Sequence, residues 1–175
     1  IGGKASVRDL IYQMITVSSN LATNILMGLV GAEKVTGTMR QLGAHDIEVL
    51  RGVEDGKAFE RGMNNRTNAF DLLLILEAIA EGRAVDPSSS EVMVDVLLAQ
   101  KFSDLIPALL PPNVRVAHKT GSITGVEHDS GIVFLPDGRR YVLVLLSKDL
   151  KNIQEGKQAL ARVSKRIYDF MIEGK

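Results

Sequence analysis

The sequence contains no cysteine, which removes disulfide bonds and thiolate chemistry and leaves the cellular compartment open. Neither sign of charge is in excess. Lys+Arg and Asp+Glu both number 21, so the net charge is zero and the electrostatic footprint of a nucleic-acid binder is missing. No apolar run is long enough to span a bilayer, and no secretory signal pattern occurs. Glycine-rich phosphate cradles and dinucleotide fingerprints are absent. The three histidines, His45, His118 and His128, do not join carboxylates at metal-ligand spacing, so no metal site is expected. His118, beside Lys119, is expected to be structural or exposed. There is no internal repeat and no low-complexity tract.

What is present is a globular composition, 45% hydrophobic and 24% charged over 175 residues. That length suffices for one domain with a real core or for two small lobes. The first residue is Ile1 rather than methionine, followed by Gly-Gly-Lys, and the chain reads as a piece of a longer protein.

Hydrophobic periodicity divides the chain at the prolines Pro107, Pro111 and Pro112. Before them the period is helical. Ser6 and Asp9 predict a capping box ahead of Val7, Leu10, Ile11, Met14 and Ile15. Thr16–Asn20 interrupts that helix. A second helix carries Ala22, Ile25, Leu26 and Leu29 to a stop near Gly31, and a third runs from about Glu33 to Leu42 with Gly43 at its C′ position. Residues 44–66 form a long loop with a short helical turn around Lys57–Met63; Ile47, Val49, Leu50, Val53 and Phe59 are expected to pin it. Loops beyond about 12–15 residues without their own structure are usually functional or disordered, and this one is read as ordered and functional. Thr67 or Asn68 caps the next helix, whose apolar run Leu72–Leu76 predicts burial on every side; Asp86-Pro87 opens another that reaches Gln100.

Beyond the prolines the period becomes that of strands: Val114–Lys119, His128–Leu135 and Arg140–Ser147, the last two joined at Pro136-Asp137-Gly138. A final helix, Ile153–Ile172, places Leu160, Val163, Ile167, Phe170 and Met171 on one side. Tyr141–Leu146 is apolar without alternation, so the sheet needs cover on both faces. The last helix supplies one. The other falls to the helical part, to a missing N-terminal segment or to a second copy. The expected architecture is α/β of the α+β type: residues 1–112 as a helical lobe with the cleft loop 44–66, residues 113–175 as three antiparallel strands plus a C-terminal helix, both within one domain.

Two short stretches carry chemistry. Lys119-Thr120-Gly121-Ser122 closes a strand and opens a hairpin, offering one cation, several donors and an unshielded backbone. This suits an anionic ligand with a carbonyl to be polarised, although the same string is also ordinary turn chemistry. Ser18-Ser19-Asn20 reads first as helix capping, and also as a proton relay with an amide to hold a substrate amide. The acidic pair Glu54-Asp55 is either solvated surface or, beside a cleft, a general base for water.

These residues together resemble the class A β-lactamases and related penicillin-recognising serine hydrolases. The matching segments are Met14–Ala22, Lys119–Ser122 and the arm Ser130-Gly131-Ile132-Val133. The resemblance spans nearly the whole chain and corresponds to the later two-thirds of such an enzyme. It departs in three places. Ser19 replaces the aspartate of the Ser-Asp-Asn motif. The loop reads Arg51-Gly52-Val53-Glu54-Asp55 where the family has Arg-aromatic-Glu-Pro-Glu-x-x-Asn, so Glu54 lies near the deacylating glutamate's place but out of register. No Ser-x-x-Lys occurs in the 175 residues, so the nucleophile would lie upstream of Ile1.

The resemblance implies a periplasmic or extracellular hydrolase that opens β-lactam rings through an acyl-enzyme, with no cofactor. Ser18 would pass a proton to the leaving nitrogen, and Lys119 would add positive potential. Glu54 would activate the deacylating water. Asn20 would bind the substrate's side-chain amide, Thr120 and Ser122 its carboxylate, and Gly121 would let the substrate backbone approach. Alternatives are a D,D-peptidase-like acyl-transfer hydrolase on cell-wall peptides, or a non-catalytic module that binds peptidoglycan or a partner. This chain alone, without a nucleophile, is expected to be inactive.

Overall fold

The computed structural model describes residues 2–174. Its first helix, α1 (Val7–Thr16), opens on the expected capping box. The Ser6 hydroxyl accepts from the Asp9 N–H at 3.1 Å, and the Asp9 carboxylate accepts from the Ser6 N–H at 3.0 Å. The helix closes through a left-handed residue, Ser18 (φ 52°), and the Ser19 N–H reaches back to the Gln13 carbonyl at 3.2 Å. This bond reaches back six residues and wraps the helix end, with serine at the left-handed position where glycine is usual. Ser19 then caps α2 (Asn20–Val30) by accepting from the Ala22 N–H at 3.2 Å. Helix α3 (Ala32–Gln41) stops ahead of Gly43, whose φ is 91°.

The loop 44–66 is ordered, but mainly by polar contacts. Glu48 and Arg66 exchange backbone hydrogen bonds of 2.9 and 3.0 Å and close its base. The Asn65 side chain accepts from the N–H groups of Leu50 and Arg51 and donates to the Arg51 carbonyl. Asn24 of α2 grips Val53 from both sides, accepting from its N–H at 2.7 Å and donating to its carbonyl at 3.0 Å. A Cβ on Gly52 would stand 2.6 Å from the Asn24 Oδ1, so this approach requires glycine. A short α4 (Gly56–Glu60) occupies the expected helical turn. Of the apolar residues expected to pin the loop, Leu50 and Phe59 are exposed. Asp71 does more: buried at the start of α5 (Ala69–Ala80), it accepts from the Asp46 and Ile47 N–H groups at 2.7 and 2.6 Å.

Helix α5 corrects one expectation. Within Leu72–Leu76 only Leu76 is fully buried, and Phe70 points to solvent, because the helix lies against one layer rather than inside two. Helix α6 (Pro87–Leu98) starts at Asp86, which caps the Ser89 N–H at 2.7 Å.

The strands β1 (Arg115–Ile123), β2 (Val126–Phe134) and β3 (Arg140–Leu146) form one antiparallel sheet in the order β1-β2-β3. The first hairpin is longer than the sequence indicates. Ile123 pairs with Val126 across Thr124-Gly125, where Gly125 has φ 73°, so Lys119–Ser122 lies inside a strand and not at its end. Successive residues divide the core between the two faces. Val116, Val133, Leu135 and Leu143 meet Ile106, Leu110 and Tyr168 on one side; Ala117 and Ile132 meet Leu76, Ala80 and Leu97 on the other. The second face is therefore covered by α5 and α6 of this chain.

Helix α7 (Ile153–Glu173) turns a different stripe to the sheet from the expected one. Ala161, Ser164 and Tyr168 are buried, with Ile167 and Met171 packed beside them, while Val163 and Phe170 are exposed. The small residues let the helix come close, and the Ser164 hydroxyl donates to the Ile106 carbonyl at 2.8 Å.

Candidate active site

The end of α1 is tied down from outside the helix. The Gln100 side-chain amide donates to the Ile15 carbonyl at 2.8 Å, and the Lys101 N–H donates to the Thr16 carbonyl at 3.1 Å. With those carbonyls fixed, Ser18 is held in its left-handed conformation at a defined point. It meets Lys119 in the middle of β1: the Lys119 Nζ donates to the Ser18 Oγ at 2.5 Å and to the Thr120 carbonyl at 2.5 Å. Burial pushes the Lys119 pKa below its ordinary 10.5, and the charge of Asp129 works against that shift.

Asp129 lies under the site and is completely buried. Its carboxylate contacts the His118 Nδ1 at 2.9 Å and accepts from the Ile106 N–H at 2.9 Å. His118, next to Lys119, is 3% exposed and so has the structural placement the sequence reading allowed. Room for its ring comes from Gly131, its partner across the hairpin, where a Cβ would fall 2.5 Å from the His118 Cβ. The pair fixes β1 against β2 and against the segment carrying Leu105 and Ile106.

Ser18, Lys119, Thr120, Gly121 and Ser122 line one cleft of about 550 Å³. Phe102, Asp104 and Leu105 form its opposite rim, and Ile123, Glu127 and Lys157 complete it. Among the described residues β1 pairs with β2 alone, so it is an edge strand whose other side is open toward the cleft. The arrangement provides one partly buried cation, one serine hydroxyl accepting from it, and a strand edge for an extended ligand or an oxyanion.

The other two residues picked from sequence sit elsewhere. Asn20 is exposed at the first turn of α2 and does not line this cleft; Glu54, exposed and left-handed (φ 61°), lines a separate depression with Asn24, Val53 and Asp55. Sequence reasoning missed Gln100, Asp129, Glu127 and Lys157. The hairpin register could have found Glu127, since a two-residue turn at Thr124-Gly125 sets Glu127 opposite Ser122. A larger depression of about 800 Å³ lies between α3 and the loop, around Glu33, Arg40 and Glu48. It holds none of the residues picked from sequence, so size does not select the site. Among the described residues no group of three or more His, Cys, Asp or Glu could hold a metal ion, and no helix is long and apolar enough to cross a membrane.

A helical lobe on an antiparallel three-stranded sheet is an architecture this chain shares with solved β-lactamases and with a penicillin-binding protein. A family model described as the β-lactamase enzyme family matches residues 1–171, and the chain belongs to that family. It is 25% identical to a β-lactamase of Bacteroides uniformis, over 95% of this chain and 60% of that protein. A β-lactamase from Sphaerobacter thermophilus superposes with a TM-score of 0.86 at 28% identity, covering 99% of this chain and 65% of that one. The protein PBP-A superposes with a TM-score of 0.88, also at 28% identity, covering 98% and 63%. The chain thus spans less than two thirds of the length of each.

Proposed function

We propose that this chain forms the binding and proton-transfer half of a serine hydrolase that opens β-lactams through an acyl-enzyme, outside the cytoplasmic membrane. The observation that carries the reading is the 2.5 Å contact between Lys119 and Ser18 at the head of the cleft. The Ser18 oxygen accepts from a cation, so its own proton is free to be given to a leaving nitrogen, and the Lys119 ammonium can pass a proton to the Ser18 oxygen in its place. Thr120 and Ser122 receive the carboxyl end of the substrate, and Gly121 lets its backbone lie along the free edge of β1. The attacking serine, with its lysine, is contributed by sequence outside these residues, in which no Ser-x-x-Lys occurs. Val7, Ile11 and Val92 leave apolar surface exposed on the helical lobe. No cofactor takes part.

A penicillin-G acyl-enzyme complex of a PBP-A variant, with a TM-score of 0.88 to this chain, supports acylation by a β-lactam. The placement of Glu54 favours a second reading at the deacylation step. With that carboxylate in a neighbouring depression, water in the cleft has no loop base, and the protein behaves as a D,D-peptidase-like acyl-transfer enzyme that holds penicillin. Mass spectrometry of the full-length protein with benzylpenicillin tests both. A covalent adduct supports the acyl-enzyme, and its lifetime separates the two readings; failure to form any adduct leaves the cleft a non-catalytic binding site for peptidoglycan.

A further inference from the structure

Lys119 has no carboxylate in contact. Its Nζ donates to the Ser18 Oγ and the Thr120 carbonyl, both neutral, and among the described residues it makes no ion pair. Burial favours the neutral amine, so a lasting cation in this cleft calls for a counter-charge nearby.

Most charges around it are spent or screened. Asp104 and Lys157 pair at 2.6 Å, and Glu127 stands 3.8 Å from the same lysine, so these offset one another. Glu91 and Asp95 of α6, the helix packed on β1, are exposed to solvent, as is Lys101. His128 of β2 accepts the Ser147 N–H at its Nδ1 and is neutral in that state.

Asp129 differs. It is completely buried, and among the described residues no Lys or Arg pairs with it. Its oxygens stand 2.9 and 3.0 Å from the His118 Nδ1, and one accepts the Ile106 N–H at 2.9 Å. A neutral imidazole with its proton on Nδ1 satisfies the carboxylate without cancelling its charge. Holding such a charge away from water is costly, and an asparagine could tie Ile106 to His118 as well. What the charge adds is its field at Lys119.

Alternation along the strands puts Asp129 and His118 on the α7 side of the sheet and Lys119 on the side of the helical lobe. A carboxylate on the Lys119 Nζ itself would occupy its donors and oppose an anionic ligand. One behind β1 does neither, and through the packed sheet its field is weakly screened.

We propose that Asp129 is a positioning residue: a buried counter-charge, held by His118 and the Ile106 N–H, that keeps the Lys119 ammonium charged without touching it or the ligand. This deepens the acyl-enzyme reading above and rests on it for the role of Lys119.

The test follows two readouts against pH in the full-length protein. One is acylation by benzylpenicillin, read by intact mass; the other is the Cε NMR signal of Lys119, assigned by its loss in Lys119→Arg. Asp129→Asn keeps the shape and an acceptor for the Ile106 N–H. It is expected to move the alkaline limb of acylation and the Lys119 midpoint down together by roughly one pH unit. A role confined to packing lowers the melting temperature and leaves both midpoints in place, and that result overturns the inference. Should Asp129→Asn fail to fold, the Cγ NMR signal of Asp129 in the wild type at neutral pH decides: an ionised carboxylate supports the counter-charge, and a protonated one overturns it. Absence of any penicillin adduct, wild type included, overturns the acyl-enzyme reading, and the Lys119 midpoint still decides this inference.

Discussion

Ser18 and Lys119 are 101 positions apart in the chain, and their side chains meet at 2.5 Å. The contact joins the end of a helix to the middle of a strand, and the serine takes part in it from a left-handed backbone conformation (φ 52°). Such a conformation costs a non-glycine residue about 1–2 kcal/mol. Ser18→Gly should therefore stabilise the fold by about 1 kcal/mol, whereas Ser18→Ala keeps the strain. Both remove the hydroxyl and should slow acylation of the full-length protein by ~10² or more. Thermal melting and adduct-formation rates check this; a glycine variant that is less stable than the alanine one would show that the left-handed turn carries no strain.

The lowered pKa of Lys119 predicts where positive charge leaves the cleft. Burial disfavours the ammonium, so Lys119 loses its proton at a pH below 10.5 and attraction for an anionic oxygen falls with it. The alkaline limb of the acylation rate should then lie below 10.5, and Lys119→Arg should push it upward. For stability the sign is the reverse. Between the folded and unfolded pKa values the unfolded chain binds more protons, so this group makes the fold more stable as pH rises toward 10.5. An acylation profile flat to pH 10.5 would contradict the shift.

Glu54 opens into the depression beside Asn24 and not into the Lys119 cleft. Glu54→Gln should accordingly change the lifetime of the penicillin adduct by no more than about threefold, whereas a general base contributes ~10²–10⁴. Following adduct decay by intact mass distinguishes these. A hundredfold longer lifetime would assign Glu54 the deacylating role and the protein a lactamase's turnover.

Tyr141 buries its hydroxyl between β3 and α7, where among the described residues it has no hydrogen-bond partner. Leaving such a group unsatisfied costs ~1–3 kcal/mol, so Tyr141→Phe should raise the melting temperature. Burial, aided by the neighbouring Tyr168, also pushes the Tyr141 pKa from 10.0 up to about 12. In that window the unfolded chain ionises first, so wild-type stability falls as pH rises from 10.0 to about 12. The phenylalanine variant should lose less over the same window. Destabilisation by Tyr141→Phe would mean that the hydroxyl has a partner after all.

The local structure was largely legible in the sequence because each signal acts over a few residues. The Ser6–Asp9 capping box, the Asp86-Pro87 start and the glycines at 31 and 43 all mark real helix boundaries. The ordered pair of motifs at Ser18 and Lys119 also led to one cleft. Where expectation failed, the deciding contacts were distant. Leu72–Leu76 is uniformly apolar, but how far it is buried depends on the single layer it packs against. The face of α7 was set by Ala161 and Ser164 approaching Ile106 rather than by its larger residues. Asn24 and Asp71 hold the loop at residues 46–53, and no short-range pattern announces such polar pins.

By itself the sequence determined the class of fold, the capping of its helices and the residues facing the cleft from β1, since periodicity and turn chemistry are properties of neighbours. Tertiary structure alone decided that Ser18 and Lys119 touch, that Asp129 is buried against His118 next to Lys119, and that Glu127 stands beside Ser122. Each of these depends on sheet register and helix placement, which bring charges together across the fold and fix their burial; a carboxylate's partners in a cleft cannot be counted until that geometry exists.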